Sequence, residues 1–156
     1  MLSGVVQAAK PTSATDSNFF IAGCPSMPHW ATPYIGWQYR RGAQGPAEWD
    51  CWSFFREVQR RQYGRDVPLL PTPPSWREIV DAFPAWSSEY GWNAVARPCE
   101  GAAVFMGRLR DPTHVGVWIE DLRACLHCCE GGSVLHDARH LATAGWRVRG
   151  YYSPEA

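Results

Sequence analysis

Apolar and polar positions follow two different periods along this chain, helical in the first half and strand-like in the second. The clearest helical stretch begins after Asp50, a residue type preferred at helix N-caps, and ends before Gly64, a residue type common at C-caps. Charged and amide side chains fill the remaining positions, which predicts an amphipathic helix. Its apolar face consists of Cys51, Phe54, Phe55 and Val58.

A second, shorter helix is predicted from Ser75, which forms a capping box with Glu78 ahead of the apolar residues in segment 79–83. After Gly101 the pattern changes to short apolar runs between turn residues, which is typical of strands. The predicted strands are 102–106, 113–119, 124–128 and 146–152. Helices followed by strands indicate an α+β domain, with N-terminal helices packed on a small antiparallel sheet.

The chain divides into an N-terminal extension over residues 1–28 and one domain over residues 29–156. With 156 residues, the chain has the usual size of a single domain and can bury one core. Between residues 29 and 49, aromatic residues alternate with Gly and Pro, which predicts an ordered loop on that core. We expect the extension to be a docking arm.

Composition and charge exclude several classes of protein. The hydrophobic content of 46% is too high for a disordered chain, and the apolar runs are too short to insert in a membrane. Because fifteen basic and fifteen acidic residues balance, no nucleic-acid surface is indicated. The N-terminus lacks the charge pattern of a secretory signal, so we expect synthesis in the cytoplasm and no disulfide framework among the six cysteines.

Cys51 is the first candidate for chemistry, because it occupies the first turn of the predicted helix. Unpaired backbone N–H groups and the helix dipole favour an anion there, so a lowered thiol pKa is expected, and the thiolate is the nucleophilic form. A buried core cysteine is an equally good interpretation of the position alone, since free cysteines are often buried. The neighbouring side chains decide between the two.

Two histidines supply the neighbours if strands 113–119 and 122–128 form an antiparallel hairpin. A turn at Glu120 and Asp121 places His114 opposite His127 and Gly116 opposite Cys125. Opposed side chains lie about 5 Å apart at Cβ. One imidazole can then accept the thiol proton while the other holds it in the required tautomer. The alternative is a pair of hydrogen-bonded core histidines.

These motifs, in this order, resemble the NlpC-type cell-wall peptidases from about Tyr34 to Tyr152. The family has a Tyr segment, an Asp-Cys helix start, a Gly-initiated strand, a His-Val-Gly strand and a polar residue on the next strand. The matching parts here are Tyr39, Asp50-Cys51-Trp52-Ser53-Phe54, Gly101-Ala102-Ala103-Val104-Phe105, His114-Val115-Gly116-Val117 and Leu126-His127. Asp-Cys-Trp, together with Tyr34-Ile35-Gly36 and Gly150-Tyr151-Tyr152, is most similar to members from tailed phages and gene transfer particles.

The resemblance implies a papain-like α+β fold and a Cys-His-His site that needs no cofactor. Cys51 would be the nucleophile, His114 the general base and His127 the residue that orients it. Tyr39 would lie near the thiolate, and Asp50 would cap the helix and contact the free amine of the substrate. The implied substrates are peptidoglycan stem peptides, cut at a γ-D-glutamyl bond to diaminopimelate or lysine.

Trp52, together with Trp49, is a candidate for lining a peptide groove, although tryptophans are core residues by default. Ser53 and Ala102 depart from the family, which usually has Gly and Asp at these positions, and we expect neither departure to affect the catalytic residues.

A zinc site is the rival interpretation of the cysteine-rich segment 125–129. Cys125 and Cys128 have the spacing of a zinc-ligand pair. On a strand, however, they would point to opposite faces, which favours buried thiols over a metal site.

Three functions are compatible with these features. The leading one is a cysteine peptidase on a phage-like tail tip that opens the cell wall for DNA entry, acting at the wall or periplasm with tail-tip or baseplate proteins as partners. The second is a mainly structural tail-assembly protein with weak activity. The third is an interbacterial toxin of the same catalytic class.

Overall fold

In a computed structural model of the protein, residues 27–69, 90–108 and 114–154 are described. The helix predicted from Ser75 and nearly all of the 1–28 extension lie outside these residues. None of the helices in the described ranges is long and apolar enough to cross a membrane.

The described residues form two helices, eight strands and one 3-10 turn. The turn is Thr32–Tyr34, and the elements that follow are β1 (Gln38–Tyr39), β2 (Glu48–Trp49), α1 (Cys51–Tyr63), β3 (Asn93–Val95), β4 (Ala103–Gly107), β5 (His114–Ile119), β6 (Ala124–Cys129), β7 (Gly132–Asp137), α2 (Ala138–Thr143) and β8 (Arg147–Ser153). β1 and β2 form a parallel pair. The other strands form one antiparallel sheet in the order β3-β8-β4-β5-β6-β7.

Helix α1 begins and ends where the sequence predicts. Asp50 is its N-cap: the Asp50 carboxylate accepts a hydrogen bond from the Ser53 N–H at 2.7 Å, and the Ser53 hydroxyl accepts one from the Asp50 N–H at 3.1 Å. Gly64 ends the helix in the left-handed conformation, with a φ of 65°, which glycine adopts without steric cost. The predicted apolar face is buried throughout, so this prediction is confirmed.

The sheet has two covered faces, and α1 packs on only one of them. Alternate residues of β5 and β6, among them Val115, Val117 and Leu126, join the core cluster that contains Cys51 and Phe54. Because side chains alternate across a strand, the intervening residues point to the other face.

That second face is covered by α2 and by Trp146, the residue before β8. Leu141 of α2 and Trp146 form a separate cluster there with alternate residues of β4, β5 and β6. His114 and His127 belong to this face, because each is adjacent in sequence to a residue of the α1 face. The helix carrying Cys51 and the two histidines therefore lie on opposite sides of the sheet.

The predicted register of the β5–β6 hairpin is wrong by two residues. His127 pairs with Gly116, and Cys125 pairs with Trp118, so His114 is diagonal to His127 and not directly opposite it. The turn is longer than predicted: Arg123 takes a left-handed φ of 48° and donates its N–H to Glu120 O at 3.1 Å. A shift of two residues in the register leaves every side chain on the same face of the sheet, so both histidines remain on one side.

Ser133 of β7 holds the aromatic segment before β1 against the sheet. Its hydroxyl donates to Tyr34 O at 2.5 Å and accepts from the Trp37 N–H at 2.7 Å. Its backbone receives the Gly36 N–H and donates to Trp37 O, each at 2.9 Å. The segment predicted as an ordered loop is therefore fixed by hydrogen bonds to a strand far along the chain.

Candidate active site

Cys51 lies at the first turn of α1, as the sequence predicts, but its thiol is not activated. The residue is buried, and burial raises the thiol pKa to about 12, with the Asp50 carboxylate adding to the rise. Backbone N–H groups of Val115 and of Cys51 itself approach the sulfur and act in the opposite direction. The expectation of a lowered pKa is wrong for this structure, because desolvation outweighs the helix start.

Three elements, α1, β1 and β5, surround the Cys51 sulfur. The β5–β6 ladder ends at the Gly116–His127 pair, and the N–H of the next residue, Val115, is directed to the Cys51 sulfur. Tyr39 of β1 is half-buried, and burial and the nearby Cys51 and Asp50 raise the pKa of its hydroxyl. The structure thus places Tyr39, Asp50 and Cys51 in one neighbourhood.

His114 and His127 form a buried hydrogen-bonded pair. His114 Nε2 lies 2.8 Å from His127 Nδ1, and the two side chains are 6% and 0% exposed. The rings meet nearly edge to face, with centroids 4.9 Å apart. The predicted pairing of the two imidazoles therefore exists, although through a diagonal register.

A third histidine, which the sequence reasoning missed, continues the pair. His127 Nε2 lies 3.1 Å from Nδ1 of His136 on β7, and the ring of His140 on α2 is stacked beyond it, with a centroid distance of 6.3 Å. We call His114, His127 and His136 the histidine chain. The signal for β7 was the Gly131-Gly132 turn followed by alternating residues, which predicts a further hairpin strand.

Trp146 and Arg108 cover the histidine pair. The Trp146 ring stacks on His114 at 4.4 Å between centroids, and the Arg108 guanidinium lies 4.4 Å from the Trp146 ring centre. Burial lowers the pKa of His114 well below its usual value, and the charges of His127 and Arg108 lower it further. Burial, His136 and Arg108 lower the pKa of His127 to about 3, so both rings are neutral at pH 7.

The Cys51 thiol lies near the start of β5, the strand that begins at His114, but the two side chains are not hydrogen-bonded. Among the described residues, the Cys51 sulfur makes no hydrogen bond to His114, whose bonded partner is His127. The sulfur contacts the backbone of Val115, and the His114 side chain leaves the preceding residue toward the other face. Such bonds are often long in ligand-free enzymes and form in the substrate complex.

Trp52 occupies the core and not an open groove. It is buried, its indole N–H donates to Pro68 O at 3.2 Å, and its ring packs on Phe55 with centroids 5.6 Å apart. Trp49 is also buried and packs on Trp37. These contacts give Trp52 a role in packing, and its place in a peptide groove stays a prediction.

The two departures from the family pattern have local roles. Ser53 completes the capping box and donates its hydroxyl to Ala43 O at 2.6 Å, which ties the helix start to the preceding loop. Ala102 is fully buried against the second face, where a carboxylate would be desolvated.

The cysteines of β6 lie on opposite faces, as the alternation of a strand predicts. Cys128 belongs to the α1 cluster and Cys125 to the α2 cluster. The described residues contain no group of three or more His, Cys, Asp or Glu placed to hold a metal ion.

The model of the NlpC/P60 family matches residues 36–151, most of the chain and every residue of the site described above. The chain belongs to the NlpC/P60 family. Members of this family are cysteine peptidases and cell-wall hydrolases, so the hydrolase class follows from membership.

The fold agrees with this NlpC/P60 membership. A solved structure, the NlpC/p60 domain of the peptidoglycan hydrolase SagA, is 21% identical to this chain, with a TM-score of 0.53. The likeness covers 79% of this chain and 92% of that one. The predicted papain-like α+β fold is thereby confirmed. No curated protein sequence matches the chain.

Proposed function

We propose that this NlpC/P60 protein is a cysteine endopeptidase that cuts stem peptides of peptidoglycan. Cys51 is the nucleophile, His114 the general base, and His127 the residue that orients His114. The observation that supports this most is the buried His114–His127 pair, 2.8 Å apart, at the strand end whose next N–H is directed to the Cys51 sulfur. Burial of titratable side chains costs free energy, and groups with perturbed pKa values cluster at functional sites.

The resting state contains a neutral thiol and a neutral imidazole. Because burial raises the pKa of Cys51 to about 12 and lowers that of His114, proton transfer must accompany attack on the substrate. His114 Nε2 is bonded to His127, so its Nδ1 is the nitrogen that takes the thiol proton. Stacking on Trp146 then stabilises the imidazolium, since a cation is attracted to the face of an indole ring.

The reaction proceeds through a thioester. The Cys51 sulfur attacks the scissile carbonyl carbon while its proton passes to His114. Collapse of the tetrahedral intermediate breaks the C–N bond, and the proton on His114 passes to the leaving amine. Water then attacks the thioester, giving one proton to His114, which returns it to the sulfur as the carboxylic acid product leaves.

Backbone groups and two side chains support these steps. In this mechanism the Cys51 N–H, in the first turn of α1 where backbone donors have no helical partner, donates to the oxyanion, and such preorganised donors usually supply a large part of catalysis. Tyr39 lies beside the thiol and positions the acyl carbonyl. The Asp50 carboxylate has one oxygen bonded to the Ser53 N–H, which leaves further acceptor capacity for the free amine of the substrate peptide.

We propose the γ-D-glutamyl bond to diaminopimelate or lysine as the bond that is cut. The test is digestion of purified peptidoglycan, followed by mass spectrometry of the soluble products. The proposal expects fragments with a new amine on the diaminopimelate or lysine residue. Fragments cut between sugars, or an absence of new fragments, would contradict it.

Two cysteine variants in the same experiment test whether hydrolysis requires Cys51. Cys51→Ala should release no fragments, whereas Cys99→Ala, which removes an exposed thiol, should release as many as the wild type. Equal release by Cys51→Ala would remove Cys51 from the mechanism.

We further propose that the enzyme acts on a phage-like tail tip. The resemblance of Asp50-Cys51-Trp52, Tyr34-Ile35-Gly36 and Gly150-Tyr151-Tyr152 to tail-associated members supports this. Deleting residues 1–28 should spare hydrolysis and abolish incorporation into particles. Unchanged incorporation would contradict the docking role, and incorporation of an inactive wild-type chain would favour the structural alternative.

A further inference from the structure

His136 lies outside the Cys51, His114 and His127 set but continues its hydrogen-bonded chain to the protein surface. Its Nδ1 is 3.1 Å from His127 Nε2, and its side chain is only partly buried. The other ring atom of His127 that can bond, Nδ1, is already used by His114 at 2.8 Å. His127 is therefore bonded at both nitrogens, and each bond constrains the other.

The direction of the hydrogen bonds along this histidine chain decides whether His114 is a base. A neutral imidazole carries one N–H and one acceptor nitrogen. If His136 Nδ1 accepts, His127 holds its proton on Nε2 and accepts at Nδ1. His114 then donates from Nε2, and its Nδ1 carries the lone pair that removes the thiol proton.

The opposite direction disables the site. If His136 Nδ1 carries a proton, it donates to His127 Nε2, and His127 must then donate from Nδ1 to His114 Nε2. His114 in turn holds its proton on Nδ1, the nitrogen that would otherwise act as the base. One proton at the outer end of the chain therefore changes the tautomer of both buried rings.

We propose that His136 is a positioning residue for catalysis, which accepts a hydrogen bond from His127 and so fixes both buried histidines in the tautomer that leaves His114 basic. The proposal rests on the proposed function, since it assumes that His114 acts on Cys51. It goes beyond that function by extending the site to a residue on a separate strand.

The groups around His136 favour its neutral ring at neutral pH, and only a neutral ring can accept a hydrogen bond at Nδ1. They are His127 and, opposite in register, Cys125 of β6, His140 of α2 and the adjacent Asp137. Burial and His140 lower the pKa of His136, and Asp137 acts in the opposite sense. The Asp137 carboxylate is bonded to the backbone N–H and to the Nδ1 atom of His140. The hydrogen-bond partner of His136 is His127.

The experiment compares three variants by nitrogen-15 NMR of the imidazoles and by hydrolysis kinetics. His136→Leu removes the acceptor. His136→Asn places an amide oxygen where Nδ1 lies, and His140→Ala changes only the neighbour. In the wild type at neutral pH, His114 and His127 should both carry the proton on Nε2. In His136→Leu, His127 should populate the Nδ1–H form, and kcat should fall about tenfold with KM unchanged, a typical loss for an outer partner of a functional histidine.

The conservative variant and the control separate this role from a structural one. His136→Asn should regain most of the lost kcat and keep the wild-type tautomers, and His140→Ala should match the wild type in kcat and in tautomers at neutral pH. Because the amide does not titrate, the acid limb of the kcat profile should move to lower pH in His136→Asn. If His136→Leu does not fold, the His136→Asn profile and the wild-type tautomers still test the proposal.

Two results would overturn the proposal. One is a wild-type His127 that carries its proton on Nδ1 at neutral pH. The other is a folded His136→Leu variant with wild-type tautomers and kcat. Failure of the proposed function is distinguishable, because it appears as absent hydrolysis in the wild type, whereas the tautomers are measured without substrate.

Discussion

At the scale of single residues, the central feature is the Cys51 thiol, the proposed nucleophile, which is held neutral. Cys51 has the helix start that lowers thiol pKa values elsewhere, yet burial and Asp50 raise its pKa to about 12. His114 and His127 are likewise neutral because they are desolvated. The proposed mechanism therefore requires proton transfer during attack and does not start from a preformed thiolate–imidazolium pair.

This state predicts the alkylation profile of Cys51. At pH 7 the thiolate fraction should be roughly a thousandfold below that of an ordinary thiol, since each unit of pKa is a factor of ten. The rate of reaction with iodoacetamide should rise about tenfold per pH unit from pH 7 to 10. Peptide mapping measures this rate separately at Cys51 and at the exposed Cys99, which is the internal control. A rate at Cys51 that reaches a plateau below pH 7 would show an activated thiolate.

The sequence could predict that Cys51 lies in the first turn of a helix, because capping preferences define where that helix starts. It could not predict the raised pKa of the Cys51 thiol. The N–H groups of the helix start can be inferred from the sequence, but the depth of burial depends on how β5 and β6 pack against α1. His136 was missed for a similar reason: its partner His127 lies on the neighbouring strand, and that pairing depends on a turn that was not predicted.

At the scale of elements, the start of α1 and the β5–β6 hairpin position the site. The capping box of Asp50 and Ser53 fixes the first turn of the helix, and the Ser53 hydroxyl also bonds Ala43 O at 2.6 Å. Gly116 lets the strands approach, since a Cβ there would lie 2.4 Å from the Cys125 sulfur and 2.9 Å from His127 Cβ.

Loss of the Ser53 hydroxyl should destabilise the protein. Ser53→Ala removes one half of the capping box and leaves the buried Ala43 carbonyl without this donor, which should lower the free energy of unfolding by about 1–2 kcal/mol. Urea unfolding measures the change. Thr143→Ala is the control, because the Thr143 hydroxyl bonds a helix carbonyl at an exposed site. This variant should change the free energy of unfolding by close to zero. An equal loss in both variants would contradict the role given to Ser53.

The existence of these elements could be predicted from their periods, but the register of the hairpin could not. Alternation in β5 and β6 specifies faces, which is why both histidines share one side despite the slip of two residues. The pairing itself depends on the turn, and the left-handed Arg123 gives no signal in the sequence, since arginine is not a residue type favoured there.

At the scale of the whole molecule, the sheet separates two cores with different chemistry. One side carries α1 and an apolar cluster, and the other buries the histidine pair beneath Trp146. The α+β class and the family follow from the order of motifs in the sequence. The sequence does not predict that α1 and the two histidines lie on opposite faces of the sheet, because that requires knowing which face each strand turns to the helix.

This arrangement predicts acid sensitivity of the fold. His114 and His127 bind protons less readily when folded, with pKa values lowered well below 6.5 and to about 3 respectively. The unfolded chain therefore binds more protons below about pH 6.5, and the free energy of unfolding falls as pH decreases. Between pH 6.5 and 4, His127 alone should contribute a loss of about 3 kcal/mol.

Urea unfolding over this pH range tests that dependence. His127→Gln should flatten the pH profile, whereas Thr143→Ala, which removes no titratable group and lies at an exposed position, should leave it unchanged. A wild-type stability that is constant from pH 7 to pH 4 would show that the pair does not carry this linkage.

The measurement that tests the central claim most directly is the turnover of a defined stem peptide by the wild type and by Cys51→Ala. The account predicts hydrolysis by the wild type and a loss of kcat/KM by a factor of about 10⁴ or more in the variant, the size of effect seen when a nucleophile is removed. Equal turnover by the two proteins would contradict it.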